Sequence, residues 1–294
     1  MTATPTATSR TLAVPGATLA YDVHGPTPAP GTPRPLLLVG QPMTAEGFTT
    51  LASHFPDRPV ITYDPRGLGR STRHDGETEH RPEQQADDLH RLVTHLAVGP
   101  VDVFGSSGGA VTYLALVQAH PEDVVTLVAH EPPLLTLLPD AEAALAASDL
   151  VTAVYQERGW GAGMAAFIAM TSVQGEVPAD FGGDLPDPAA FGLPTQDDGS
   201  RDDPLLSGVS SPVTAFRPDV AALAAVSTRV VVAVGEKTGP SITGRTTAAL
   251  AQALGGEPTV FPGDHGGFLG GEFGQVGEPD AFAARLREVL EARG

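Results

Sequence analysis

The 294-residue chain contains no cysteine. This absence excludes disulfide bonds, thiolate metal ligands and a cysteine nucleophile. Basic residues are also scarce, because 17 Lys and Arg stand against 35 Asp and Glu and leave a net charge of −18. A surface this acidic repels phosphate backbones and anionic lipid headgroups, so we expect neither nucleic acid nor a membrane among the partners.

The chain also lacks the run of about 18 apolar residues that a membrane-spanning helix requires. Residues 1–10 contain no apolar stretch typical of a secretion signal, so we predict a disordered tail there and a cytoplasmic protein. Apolar residues make up 41% of the chain, which is enough for a packed core. The composition leaves the oligomeric state open between monomer and homodimer.

What the sequence does contain is an alternation of short strand-like runs with longer helix-like runs. The strand candidates are apolar or β-branched segments, at residues 18–24, 36–39, 60–63, 101–104, 124–129, 229–234 and 258–261. The helix candidates have apolar residues at spacings of three and four, at 82–96, 108–119, 247–254 and 280–290. This order predicts an α/β fold with a mainly parallel, twisted sheet and helices on both faces.

The alternation stops in residues 132–226. Two helical stretches are predicted there, at about 141–158 and 161–171, followed by a segment rich in Gly, Pro and Asp. We therefore predict a core of residues 11–131 and 227–294, with residues 132–226 inserted before the last two strands as a mostly helical lid. A disordered surface loop is the alternative for the Gly-rich and Pro-rich segment.

The clearest chemical signal is the sequence VDVFGSSGGA at residues 101–110. It places the pattern G-x-S-x-G between a predicted strand and a predicted helix, which is the arrangement of a nucleophile elbow. Gly105 and Gly109 leave room for the tight turn that such an elbow needs. Ser107, unlike Ser106, has a glycine two positions before it and two positions after it. We therefore predict Ser107 as the nucleophile.

A second segment, YDPRGLGRS at residues 63–71, resembles the D-x-R-G-x-G-x-S turn of the α/β-hydrolase superfamily. Together with the elbow, the resemblance extends over residues 18–290 apart from the lid, and it includes a group of actinobacterial members of unassigned substrate. It implies the α/β-hydrolase fold with the lid before the last two strands. In relatives this turn is architectural, so Asp64 and Arg66 are expected to form a structural ion pair.

A serine nucleophile needs a base, and the chain has nine histidines. The resemblance places the base in the loop after the last strand, where the only candidate is His265, in FPGDHGGF at 261–268. We predict His265 as the general base and acid. His90 and His95 lie five residues apart on a helix, which is a poor spacing for shared metal binding. A binding role for His130 stays open. We predict no metal and no cofactor.

The acid of the triad is where the sequence departs from the family pattern. The resemblance implies an aspartate in a G-x-x-D sequence after the penultimate strand, but this chain has GEKT at 235–238, with Thr238 in place of the aspartate. Some members carry the acid after the strand that follows the nucleophile helix, where this chain has Glu131. We predict Glu131 as the residue that orients His265. Glu236, or a dyad without a carboxylate, is the alternative.

Hydrolysis by a serine also needs two backbone N–H groups that face the developing oxyanion. Gly108, directly after the nucleophile, is predicted to supply one. In relatives the other comes from the loop after an early strand, which here reads VGQPM at 39–43. Gln41 is therefore the predicted donor, and Met43 and Phe48 are expected to line the acyl pocket. The lid side chains expected to roof this pocket, unless they form the core of the lid, are Met164, Phe167, Ile168 and Met170.

These residues together predict a serine hydrolase of the carboxylesterase type. Its partner would be a small or medium-sized uncharged substrate, whose ester or related acyl bond is cleaved through an acyl-enzyme. Two other functions remain open. One is a lyase or cyclase on the same scaffold that forms no acyl-enzyme, and the other is a binding protein that takes up a small molecule without turning it over.

Overall fold

A computed structural model describes residues 7–292. Its strands are β1 (Thr8–Val14), β2 (Ala17–His24), β3 (Leu36–Gln41), β4 (Val60–Tyr63), β5 (Thr72–Arg73), β6 (Val101–Ser107), β7 (Val124–His130), β8 (Arg229–Gly235) and β9 (Thr259–Phe261). Its α-helices are α1 (Thr49–Ser53), α2 (Pro82–Leu96), α3 (Gly108–Ala119), α4 (Ala141–Arg158), α5 (Trp160–Thr171), α6 (Ser211–Thr214), α7 (Val220–Ala225), α8 (Ile242–Ala253) and α9 (Pro279–Glu291).

The strands form a single sheet in the order β1-β2-β4-β3-β6-β7-β8-β9, and β5 pairs with β2. The pairs from β4 to β9 are parallel, whereas β2 is antiparallel to both of its main neighbours. Every residue of β3 is buried, as expected for a central strand that is covered on both faces. The predicted α/β fold with a mainly parallel sheet is confirmed.

Apolar cores fill both faces of the sheet. On one face α2, α3 and α8 contribute Leu89, Leu114 and Leu250. On the other face α1 and α9 contribute Leu51 and Phe282. All five side chains are completely buried, so the sheet is held between two helical layers. This leaves the carboxyl ends of the parallel strands as the edge at which a site can form.

The first strand was not predicted. Residues 8–10, which the sequence analysis assigns to a disordered tail, lie in β1 and pair with β2. Most of β1 is exposed, so it lacks the apolar alternation that marks a strand in the sequence. Backbone pairing with β2 holds it instead. Residues 1–6 of the predicted tail lie outside the described residues.

The segment inserted between β7 and β8 contains α4, α5, α6 and α7, and no strand lies in it. It is anchored to the core at Asp140, which forms an ion pair with Arg245 of α8. Within the segment, the hydroxyl of Thr136 donates to the carbonyl of Phe216. Its boundaries and its action as a lid stay predictions. No helix in residues 7–292 combines the length and hydropathy needed to cross a bilayer.

Candidate active site

Ser107 lies at a sharp turn between β6 and α3. It is the last residue of the strand and has φ 56° and ψ −126°, a strained conformation for a residue with a side chain. A Cβ on Gly105 would lie 2.7 Å from the Cα of Ala110, and one on Gly109 would lie 2.1 Å from the carbonyl oxygen of Val39. Both glycines are therefore required for the turn to form.

Glu131 directly follows β7, with a positive φ of 49° and a fully buried side chain. Its Oε2 lies 2.7 Å from Nδ1 of His265, which the loop after β9 brings to the same edge of the sheet. Glu236, the alternative acid, is exposed and makes no hydrogen bond to this imidazole among residues 7–292. The structure thus brings together His265 and Glu131, and the role of this pair stays a prediction.

The carboxylate of Glu131 accepts four hydrogen bonds. Oε1 accepts from the backbone N–H of Gly235, at 2.9 Å, and from the hydroxyl of Thr238. Oε2 accepts from the hydroxyl of Thr243, at 2.9 Å, and from His265. Burial alone would raise the pKa of Glu131, but the hydrogen bonds and the nearby imidazoles outweigh it and lower the pKa to about 2. Glu131 is therefore a charged carboxylate at neutral pH.

Thr238 and Thr243 were not predicted as part of the site. The sequence shows only that threonine replaces an expected aspartate at position 238. Position 243 carries no motif at all, and its contact with Glu131 joins residues 112 positions apart in the chain. Only the packing of the α8 N-terminus beside the end of β7 brings this hydroxyl to the carboxylate.

Ser107 and His265 line the same cavity. Within residues 7–292 the hydroxyl of Ser107 makes no hydrogen bond to the imidazole, an arrangement common in active sites without a bound substrate. Gly108 is the first residue of α3, so its backbone N–H has no acceptor within the helix. Gln41 ends β3 directly beside Ser107 in the parallel register and lines the cavity. The oxyanion roles of Gly108 and Gln41 stay predictions.

Met43 and Phe48 do not line the cavity, contrary to the expectation from sequence. Phe48 is completely buried in the apolar core that α1 and α9 share, and Met43 packs against that core. The reason lies in two glycines, since a Cβ on Gly40 or Gly47 would lie 2.5 Å or less from the Met43 side chain. Met43 fills the space that these glycines leave.

The cavity has a volume of about 410 Å³ and lies between the sheet edge and the inserted segment. Of the lid side chains expected to roof it, Phe167 and Met170 line it. Its remaining wall from the insertion combines apolar groups with hydroxyls, namely Leu135, Ser148, Val151, Thr152, Thr171, Leu205, Ser210, Ser211, Val213 and Thr214. The wall also contains His265, and its charged residues are Lys237 and Asp264. Such a wall suits an uncharged ligand of modest size.

The predicted ion pair between Asp64 and Arg66 is wrong. Asp64 accepts from the backbone N–H of Ala45 and pairs with Arg70 at 2.8 Å. Arg66 instead reaches across to α2 and binds the fully buried carboxylate of Asp88, with Nε 2.9 Å from Oδ2. Each charge therefore ties the turn to a different neighbour, and both remain architectural rather than catalytic.

His130 lies behind the site rather than in it. It is completely buried, does not line the cavity, and has Nδ1 3.4 Å from the hydroxyl of Ser106. Burial lowers its pKa to about 4, so the ring is neutral at neutral pH. Its Nε2 lies 3.8 Å from Oε1 of Glu131. The ring thus packs against the carboxylate, and nothing places it against a ligand.

A second group of side chains is close enough to share a metal ion. His90, His120 and Asp123 have ligand atoms within 4.8 Å of one another. The two imidazoles are stacked with their centroids 3.7 Å apart and their planes 12° from parallel. Parallel rings at this separation cannot both direct a nitrogen lone pair at one ion without rotating. Nδ1 of His90 lies 2.7 Å from Asp123, an ordinary imidazole–carboxylate pair.

Comparison with known proteins gives partial matches in sequence. Residues 36–159 match the sequence model of a family described as alpha/beta hydrolase fold. The chain is 42% identical over 129 residues to the uncharacterized hydrolase YraK of Bacillus subtilis, covering 44% of this chain and 46% of that protein. It is 37% identical over 76 residues to a proline iminopeptidase of Xylella fastidiosa, covering 26% of this chain and 24% of the peptidase. The chain thus spans less than half the length of these curated relatives.

Similarity of structure extends over nearly the whole chain. A thermophilic esterase from Thermogutta terrifontis matches with a TM-score of 0.64 and 23% identity, covering 97% of this chain and 98% of the esterase. This likeness concerns the fold, and it agrees with the order of the parallel strands. The chain therefore has the α/β-hydrolase fold.

Proposed function

We propose that this protein is a serine hydrolase of the carboxylesterase type, which cleaves an ester or a related acyl bond of a small to medium-sized uncharged substrate. The observation that carries the proposal is the hydrogen bond of 2.7 Å between Glu131 and His265, in the wall of a cavity that Ser107 also lines. A carboxylate bound to Nδ1 leaves Nε2 as the nitrogen that takes a proton from a nucleophile.

The proposed reaction has two halves. The Ser107 hydroxyl attacks the carbonyl carbon while His265 takes its proton, and the oxyanion is held by the N–H groups of Gly108 and Gln41. The C–O bond to the alcohol then breaks, and the alcohol leaves with the proton from His265. Water attacks the acyl-enzyme with His265 again as the base, which releases the acid and restores Ser107. Glu131 stabilises the imidazolium that forms in each half.

The cavity supports an uncharged substrate over a peptide. An aminopeptidase must bind the cationic amino group of its substrate, for which the natural partners are carboxylates. The cavity wall offers Asp264, whose carboxylate already accepts from the backbone N–H of Gly266 at 2.9 Å, and the same wall carries the cationic Lys237. The buried carboxylate of Glu131 is already occupied by four donors. An ester with an uncharged acyl group therefore suits this cavity better than a free amino terminus.

A panel of p-nitrophenyl esters with acyl chains of increasing length tests the proposal, with prolyl p-nitroanilide as the peptidase arm. We expect ester turnover that Ser107→Ala abolishes, while Ser106→Ala, in the adjacent serine, retains most of it. An epoxide serves as a negative substrate, because attack by serine would give an ether that water does not cleave. Wild type and Ser107→Ala being equally inert on every ester would contradict the proposal.

A further inference from the structure

The threonines that contact Glu131 lie on two different elements. Thr238 is in the loop after β8, and its hydroxyl donates to Oε1. Thr243 is in the first turn of α8, and its hydroxyl donates to Oε2 at 2.9 Å. We infer that Thr238 and Thr243 are positioning residues that hold the Glu131 carboxylate in the plane where it meets Nδ1 of His265. This inference rests on the proposed function.

The geometry gives each hydroxyl a definite task. An ionised carboxylate only accepts hydrogen bonds, so both hydroxyl protons must point at Glu131. One donor on each oxygen prevents the carboxylate from rotating about its terminal bond, since rotation would break both hydrogen bonds. The N–H of Gly235 fixes only Oε1, and His265 is the group to be oriented. The two hydroxyls are therefore the side-chain donors that fix the plane independently of the imidazole.

The position of Glu131 makes such support necessary. Its backbone has a positive φ, which costs free energy for a residue with a side chain, and its carboxylate is fully removed from water. A buried carboxylate that loses a donor is destabilised more than an exposed one, because no water replaces the lost partner. Without the hydroxyls we expect the carboxylate to take up a proton more readily and to sample other orientations. Either change would weaken its hold on His265.

The experiment compares isosteric and conservative changes at both positions. Thr238→Val and Thr243→Val keep the shape of the side chain and remove the hydroxyl, whereas Thr238→Ser and Thr243→Ser keep the hydroxyl. We expect each valine variant to lower kcat about tenfold with KM changed less than about twofold, and each serine variant to stay within about threefold of wild type.

The control is Thr246→Val on the same helix. Thr246 is fully buried, whereas Thr238 and Thr243 are partly buried, and its hydroxyl donates to the carbonyl of Pro132 at 2.7 Å and does not contact Glu131. A purely structural role for the threonines predicts the same kinetics in all three valine variants. The inference is overturned if Thr238→Val and Thr243→Val match Thr246→Val in kcat. Where a valine variant does not fold, the alanine variant at that position is measured in its place.

A second readout does not depend on activity. The pKa of the Glu131 carboxyl is measured by ¹³C NMR on protein labelled at glutamate, with the resonance assigned by its loss in Glu131→Gln. We expect this pKa to rise by about one unit in each valine variant and to stay unchanged in Thr246→Val. An unchanged pKa in both valine variants overturns the inference even if Ser107 proves to be the nucleophile. A raised pKa in a protein without esterase activity would instead contradict only the proposed function.

Discussion

The ends of β7 and β8 lie side by side in the sheet, and each is followed by a glutamate. The two glutamates differ in burial and in hydrogen bonding. At the end of β7, Glu131 has a positive φ, is fully buried and accepts four hydrogen bonds. At the end of β8, Glu236 is exposed and makes no side-chain hydrogen bond within residues 7–292. Two residues further on, Thr238 turns its hydroxyl towards Glu131.

This difference shows how the position of an acid can change within one fold. The loop after β8, where the sequence resemblance implies an aspartate, supplies donors to the carboxylate of Glu131, which follows β7. The Gly235 N–H and the Thr238 hydroxyl both serve this purpose. The imidazole can therefore meet a carboxylate at the same edge of the sheet although the acid belongs to a different strand.

The largest expected effect comes from removing the charge at each strand end in turn. Glu131→Gln should lower kcat for an ester about 10⁴-fold, because the amide no longer stabilises the imidazolium and favours the wrong tautomer. Glu236→Gln should leave kcat within about twofold of wild type. Steady-state kinetics on one ester measure both. A larger loss of kcat in Glu236→Gln than in Glu131→Gln would identify Glu236 as the acid of the triad.

The two strand ends should also differ in how they respond to acid. The folded pKa of Glu131, about 2, lies below its ordinary 4.5, so the stability it adds is complete above pH 4.5 and is lost as the pH falls towards 2. Between pH 4.5 and pH 2, the free energy of unfolding should therefore fall by about 3 kcal/mol less in Glu131→Gln than in wild type. Urea unfolding at a series of pH values measures the difference, and Glu236→Gln, the matched control, should follow wild type.

Two buried histidines also lower the stability of the protein as the pH falls, but they act at a higher pH than Glu131. Burial lowers the pKa of His130 and of His80 to about 4, from an ordinary 6.5. The unfolded chain therefore binds protons first, and stability falls from both groups as the pH drops from 6.5 towards 4. The loss from His80 occurs in wild type and in Glu131→Gln alike. The charge of Glu131 raises the pKa of His130, so in the variant the loss from His130 extends below pH 4. A difference between the two proteins that develops mainly above pH 5 would contradict the assignment to Glu131.

A double variant can move the carboxylate from position 131 to position 238, in the loop after β8. Because the Thr238 side chain already touches Glu131, a carboxylate at position 238 should reach the same region. We expect Glu131→Gln with Thr238→Asp to regain about tenfold of the lost kcat, part of what a well-placed carboxylate supplies. Thr238→Asp alone, the control, should lower activity, since two carboxylates would then share one buried site. Steady-state kinetics on one ester compare the two single variants and the double variant. If kcat of the double variant is no higher than that of Glu131→Gln, position 238 cannot carry the acid.

The smallest expected effect concerns the ion pair that joins the segments after the two strands. Asp140 follows β7 and Arg245 follows β8, and Arg245 also donates to the carbonyl of Gly175 at 2.8 Å. Arg245→Gln should cost about 1–2 kcal/mol and lower Tm by about 2–4 °C, because most of this pair is shielded from water. Arg91→Gln, which breaks an exposed pair with Asp87 on α2, should leave Tm unchanged. Calorimetry that gives equal shifts for both variants would contradict this anchoring.

The sequence predicts the parallel core well because its strands are buried on both faces and therefore read as continuous apolar runs. The residue at the elbow is likewise visible, since two glycines must flank a turn this tight. β1 is missed because exposed residues carry no periodic signal, and its stability comes from pairing with β2. Hydrophobic periodicity and turn residues in the sequence indicate burial and turns. Backbone hydrogen bonding between two strands has no such signal in the sequence.

Side-chain partners that lie on helices are the part that the sequence does not predict. The resemblance of the turn implies a pair between Asp64 and Arg66, but Arg66 reaches Asp88 on a helix. Thr243 gives no sign of its contact with Glu131. In each case the partner is chosen by the packing of a helix against the sheet. The sequence does predict Ser107, His265 and Glu131 as site residues, because each lies at a strand end or in a loop after a strand, where sites form in open parallel sheets.

In the proposed reaction, the hydroxyl of Ser107 forms a covalent acyl intermediate. The direct measurement is mass spectrometry of protein that is mixed with a p-nitrophenyl ester, quenched in acid during turnover and digested. We expect one added acyl group on the peptide that contains Ser107, its accumulation in the first turnover, and its absence in Ser107→Ala. Turnover of the ester with no acyl group on that peptide, or with the group on another residue, would contradict the proposed reaction.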